Sequence, residues 1–284
     1  MTENLHVAAV DLGATNIRTG LIRRDGTVIA FRAEEVPKNS CADGSVITER
    51  IAAMITSMTK ETGITPNAIG ISTAGPVNQK AGSVVGSPNM NCSEIFLRDP
   101  LASLFHIPAV MLSDCKAGAV GEYFFGGADT AHTLVYLTIS TGLGCGVIAN
   151  GSLLTGADGN AGEVGHIVVD TRYNILCGCG GTGHWEAYAS GTGIPKFFHA
   201  WYAEKCDGRC PAKRDITAGQ ILRAAEIGSP LCCEFVDVLA KINGRGLSAV
   251  INAYNPDLII LDGPIVRNYP SLVAGKMTAA IDRY

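Results

Sequence analysis

The chain has 284 residues, 47% of them apolar and 17% charged, with a formal net charge of −4. That is enough apolar material for one large domain or two ordinary ones, and it excludes a disordered chain. There is no basic footprint for nucleic acid, and no apolar run reaches the about 18 residues of a membrane span. A small molecule is therefore the expected partner.

The start, MTENLHVAAVDLG, lacks the basic head and apolar run of a signal peptide, so the protein reads as cytoplasmic. In that compartment the 10 cysteines are core thiols or metal ligands rather than disulfides. LHVAAVDLG reads as a buried strand, NIRTGLIRR as a half-buried one, and TVIAFRAEEV as a third after the Asp25-Gly26 turn. VITERIAAMITSMTKETG has helical spacing, with Ile47, Ile51, Met54, Ile55 and Met58 on one stripe and Gly63 as the stop. AIGISTAGPV and PAVMLSD are buried strands around a short helix, DPLASLFHI. Alternating strand and helix predicts an α/β sheet with parallel neighbours.

A second meander begins near residue 133, with TLVYLTIS, the turn TGLG, then CGVIANGSLL. It echoes residues 6–30, which points to two lobes of similar build, with the boundary at 112: 1–112 and 113–284. Helices follow, PKFFHAWYAEK, AGQILRAAEI and LCCEFVDVLAKINGRGLSAVINAY, then a last buried strand, DLIILDG. Cys232 and Cys233 read as helix packing residues, and Cys206 with Cys210 as a weak second metal or redox pair.

Two loops carry phosphate chemistry. In VDLGATN an acidic residue, Asp11, closes a buried strand and can hold Mg²⁺, while Gly13, Thr15 and Asn16 offer backbone N–H groups and small polar side chains. An ordinary glycine turn explains that stretch equally well. STGLGCG repeats the pattern at Thr141, Gly142 and Gly144. Neither loop is a Walker motif or a dinucleotide fingerprint. Gly263, after DLIILD, is a weaker candidate for contact with a base or ribose.

PAVMLSDCKAGAVGE places Asp114 where a strand passes into a helix, a position that suits a catalytic base and equally a helix cap. Downstream, His166, Cys177, Cys179 and His184 form a Cys₂His₂ set suited to a structural Zn²⁺, with glycines at 178, 180, 181 and 183 to wrap so short a loop. Glu163 and Glu186 are not needed by the metal, and carboxylates of this kind grip polyhydroxyl ligands such as sugars.

DLGATN, ISTAGPV, SPNMN, SDCKAGAVGE, STGLGCGV, EVGHIVV, CGCGGTGHWEAYASG and NPDLIILDGPI occur in the order of one family. The chain resembles the ROK family, which groups sugar kinases with related transcriptional repressors. The resemblance implies an actin-like, hexokinase-type ATPase fold with two lobes, each a mixed sheet flanked by helices, and a cleft. It implies transfer of the ATP γ-phosphate to a hexose hydroxyl, usually the 6-OH, with Asp114 as base. Glu163, His166 and Glu186 would contact the sugar, with Asn89 lining the same pocket and His166 also on the zinc. Glucose is the first choice of hexose, ahead of N-acetylmannosamine and fructose, and a homodimer or larger homo-oligomer is expected.

The chain departs from the family pattern in four places. His184 replaces a usual Cys and leaves the metal site less negative. Ser113 replaces an Asn and reaches less far towards a sugar hydroxyl. Lys116 replaces a small polar residue close to Asp114, where it could lower the aspartate's pKa or meet an acidic group or phosphate. The C-terminus at Tyr284 is short for the family, which bears on the adenine site. Two other classes are a sugar-responsive regulator and an inactive sugar-binding homologue. The first would carry a DNA-binding domain ahead of the DLG strand, where no room is expected.

Overall fold

The computed structural model describes residues 5–37, 44–85, 92–206 and 215–282. Contacts divide the chain into two compact units, Met1–Ala117 with Thr155–Ala161, and Gly118–Leu154 with Gly162–Tyr284. The sequence reading draws a single boundary at 112.

In the first unit the meander forms as expected: β1 (His6–Leu12), β2 (Asn16–Arg23) and β3 (Val28–Glu35). Helix α1 (Ser45–Thr62) buries the whole predicted stripe, Ile47, Ile51, Met54, Ile55 and Met58. Each such side chain contributes about 2 kcal/mol of apolar burial. Gly63 ends the helix at φ 69°, a left-handed cap whose N–H reaches the Thr59 carbonyl, as its glycine identity requires. β4 (Ala68–Thr73) follows and runs into a cis Gly75–Pro76 bond. A small antiparallel sheet that periodicity did not reveal comes next, β5 (Val77–Asn78), β6 (Ser83–Val85) and β7 (Glu94–Phe96). Its strands are too short for an alternation to register. Then come α2 (Arg98–Phe105) and β8 (Ala109–Ser113).

The main sheet of this unit has the order β3-β2-β1-β4-β8, antiparallel across the meander and parallel from β1 through β4 to β8. Its core runs through Ala8, Val10, Leu12, Ile17, Ile69, Ile71 and Met111 against α1. Helix α3 (Asp114–Phe125) starts at the end of β8 and passes from the first unit into the second.

The second unit repeats the plan. β9 (Thr133–Ile139) and β10 (Leu143–Ala149) form a hairpin extended by β11 (Ser152–Leu153) through the Asn150-Gly151 turn, both residues at positive φ. α4 (Trp185–Ala189), α5 (Gly193–Lys205), α6 (Ala218–Glu226) and α7 (Pro230–Tyr254) precede β12 (Leu258–Asp262), which pairs parallel with β9. The sheet order is β11-β10-β9-β12. Beyond it lie α8 (Pro264–Asn268), a π-helical turn over Ser271–Gly275, and α9 (Lys276–Ala279). The core gathers Val135, Leu137, Ile139, Trp185, Phe197, Phe235 and Leu247, and Cys232 is buried in it as read from the sequence. Among the described residues no helix is long and apolar enough to cross a membrane.

Candidate active site

Asp114 sits at the first position of α3, exposed, directly after β8. The Cys115 backbone N–H donates to its Oδ1 at 2.8 Å and the Cys115 thiol donates to the same oxygen at 3.2 Å. The aspartate is thus exposed at the helix start, and its carboxylate is held by the next residue rather than by the N–H two or three positions on that a helix cap uses. Ser113 precedes it, half-buried at the end of β8. Lys116 is buried, and its ammonium donates to the Gly159 carbonyl rather than to Asp114. Positions i and i+2 of a helix face different ways, so neighbours in sequence diverge here. Asn89 lies outside the described residues, as does Cys210 of the CDGRC pair.

The turn after β1 closes when Gly13 N–H donates to the Asn16 carbonyl at 3.0 Å, with Thr15 exposed at its tip. A Cβ on Gly13 would meet nothing nearer than that carbonyl oxygen at 3.5 Å, an ordinary contact. Neither crowding nor a left-handed backbone requires glycine at 13. Asp11 is opposite Arg18 in the β1–β2 register, and Arg18 Nη1 donates to Asp11 Oδ2 at 2.9 Å. The sequence reading missed this pairing, although the hairpin register predicts it.

In the second loop, Ser140 N–H closes on the Gly142 carbonyl at 2.9 Å, and Thr192 Oγ1 donates to the Thr141 carbonyl at 3.0 Å. Gly144 lies in β10 opposite Thr138. Here glycine has an internal cause: a Cβ on Gly142 would stand 2.7 Å from Glu186 Oε2, the oxygen that accepts the Leu143 N–H at 3.0 Å. Gly263 likewise has a local reason. It stands at φ 99° after β12, and a Cβ would collide with the Ile139 carbonyl.

Glu163 is exposed and opens a 3₁₀ turn over Val164–His166. Gly165 in that turn lies so close to the Leu143 carbonyl that no side chain fits. The loop after it is braced by Asp170, whose carboxylate accepts from the Arg172 and Tyr173 N–H groups and from the Tyr188 hydroxyl. Cys177 and Gly181 then form a tight turn, with Cys177 N–H on the Gly181 carbonyl at 2.8 Å. Trp185 is buried, its Nε1–H donates to Asn243 Oδ1 at 2.8 Å, and its ring lies over Gly246 of α7. This fixes α4, and with it Glu186.

His166, Cys177, Cys179 and His184 bring one ligand atom each to within 4.8 Å of one another. The Cys177 Sγ–His166 Nδ1 separation is 3.8 Å and the Cys179 Sγ–His184 Nδ1 separation is 3.2 Å. Tetrahedral Zn²⁺ with bonds of about 2.3 Å to sulfur and about 2.0 Å to nitrogen separates S and N by about 3.5 Å, so the donor set fits that ion. Burial pushes the Cys177 thiol up to about 11. A divalent cation works in the opposite direction, because it binds the thiolate. Cys177 Sγ also lies 3.6 Å from Glu186 Oε1, so the carboxylate spans from the thiol to the Leu143 peptide.

Comparison with known proteins assigns the family. The ROK family model matches residues 7–284. The chain belongs to the ROK family. It is similar to a glucokinase from Pyrobaculum calidifontis, 34% identical over 97% of this chain and 84% of the relative. A ROK hexokinase from Thermus thermophilus has a TM-score of 0.81 and 28% identity, over 97% of this chain and 88% of the other. A ROK glucokinase from Streptomyces griseus, solved with glucose and AMPPNP, has a TM-score of 0.72 and 29% identity with the same coverage. The ROK fold is the actin-like, hexokinase-type ATPase fold, and the two echoing sheets are its halves.

Proposed function

We propose that this ROK protein is an ATP-dependent hexose kinase that transfers the γ-phosphate to the 6-OH of glucose. What carries the reading is similarity to glucokinases along nearly the whole chain, joined to a Glu186 carboxylate held between the Thr141–Gly144 loop and the Cys/His cluster.

In this reading Asp114 orients the attacking hydroxyl and takes its proton as the oxygen bonds to the γ-phosphorus and ADP leaves. Cys115 fixes Oδ1, which directs Oδ2 to the hydroxyl. Glu163 and Glu186, with Ser113 and Asn89, accept hydrogen bonds from the sugar hydroxyls, and His166 donates one to a sugar oxygen. His166 presents Nδ1 to the Cys177 thiol, and Nε2 is its group for the sugar. Gly13, Thr15 and Asn16 in one loop, and Thr141, Gly142 and Gly144 in the other, hold the phosphates, with Gly263 against the nucleoside. Positioning and charge stabilisation supply most of the acceleration in phosphoryl transfer.

Asp11 is the carboxylate that would hold Mg²⁺, which neutralises phosphate charge; it is half-exposed, with Arg18 on one oxygen. Zn²⁺ would be held by His166, Cys177, Cys179 and His184 and supplies a structural brace. The test is a coupled assay with ATP over a panel of hexoses. Turnover with glucose above that with N-acetylmannosamine and fructose supports the reading, and no turnover with any hexose overturns it.

A further inference from the structure

Lys116 is the most deeply buried charge in its neighbourhood, 2% exposed, and the roles above do not use it. A buried ammonium is costly unless its donors are satisfied. Among the described residues its acceptor is the Gly159 carbonyl. Gly159 belongs to the segment Thr155–Ala161, which packs with the first unit although the residues on either side of it belong to the second.

The seat for that segment is specific. Gly159 stands at φ 83°, where side chains are strained, and a Cβ would collide with Gln79. The Gln79–Lys80 turn is itself tied down, because Arg98 donates to both carbonyls, at 2.6 Å to Gln79 and 3.1 Å to Lys80. By contrast, the Lys80–Asp158 ion pair nearby is exposed on both sides, 83% and 66%, and such pairs contribute little.

We propose that Lys116 is a positioning residue for hexose binding: its ammonium anchors the Gly159 peptide and thereby the short connection into Gly162 and Glu163. One buried cation then ties the helix that begins with Asp114 to the segment that runs into Glu163. The inference rests on the hexose reading above and adds a residue to it. Met fills the volume of Lys without a donor, whereas Arg keeps a cation that can reach the carbonyl.

The test compares Lys116→Met, Lys116→Arg, Gly159→Ala and, as a control, Lys80→Ala. Steady-state kinetics, glucose calorimetry without ATP and amide hydrogen exchange are measured on each. Lys116→Met is expected to raise the glucose KM and Kd at least tenfold with the ATP KM within twofold. It also speeds exchange over residues 155–163. Lys116→Arg recovers part of the affinity, and Lys80→Ala stays within twofold of the parent. Gly159→Ala attacks the same junction from its other side and carries the test if Lys116→Met does not fold. An unchanged glucose KM, or equal losses for glucose and ATP, overturns the proposal. Should the parent bind no hexose, the functional reading fails by itself, and exchange over 155–163 still decides: equal rates in parent and variants overturn the anchor.

Discussion

Glu186 and Leu143, 43 residues apart, are joined by a hydrogen bond of 3.0 Å from the Leu143 N–H to Glu186 Oε2. The bond makes the carboxylate a structural member of the second glycine loop as well as a proposed sugar ligand. Glu186→Gln keeps an acceptor for Leu143, and Glu186→Ala does not. We expect the Ala variant to lose about 1–3 kcal/mol in urea denaturation, the cost of an orphaned buried N–H. The Gln variant keeps most of that stability while its glucose KM rises.

The two glycine loops differ in what an added side chain meets. Gly142→Ala places a methyl 2.7 Å from Glu186 Oε2, whereas Gly13→Ala meets only an ordinary contact at 3.5 Å. Gly142→Ala should therefore displace the Glu186 carboxylate, the far end of a side chain that can turn aside, and raise the glucose KM in steady-state kinetics. Gly13→Ala should leave the denaturation midpoint in place and raise the ATP KM. Paired melts and ATP titrations read both effects.

Metal analysis of the purified protein should find about one zinc per chain, the capacity of a Cys₂His₂ set. Chelation, or Cys179→Ala, should lower the melting temperature and the glucose affinity together, because the same loop carries His166 and Glu186. Full activity and an unchanged melt in metal-free protein contradict the brace.

Most of the fold is legible in the sequence because long elements write their own period. The stripe of α1, the Gly63 cap and the hairpins of both sheets follow from apolar spacing and turn residues. The four metal-ligand candidates cluster in sequence and come together in space. What is not legible depends on partners far away. Nothing in STGLG announces that Gly142 faces Glu186, and nothing in SDCK announces that Lys116 turns inward to Gly159. The short strands β5–β7 carry too few residues for alternation. Asn89 and Cys210 lie outside the described residues.

Tyr136 donates to Asp262 Oδ2 at 2.5 Å, linking neighbouring strands of the second sheet. Burial opposes ionisation of Asp262, but the Tyr136 hydroxyl, the Gly263 N–H and Arg267 together lower its pKa. A lowered folded pKa gives stability that is present above the unfolded value, about 3.9, and is lost as pH falls through the folded value. Tyr136→Phe should cost about 1 kcal/mol at pH 7. Urea denaturation at pH 7 and below pH 4 should show the gap between parent and variant narrowing on acidification.

The account turns on Asp114 as the base, and steady-state kinetics of Asp114→Asn with glucose and ATP tests it most directly. Asn keeps the size of Asp and an acceptor for the Cys115 N–H but cannot take a proton. We predict that kcat falls by about 10²–10⁴-fold, the usual contribution of a positioned base, while glucose still binds by calorimetry and the melting curve is unchanged. Equal turnover by the two proteins would contradict the account.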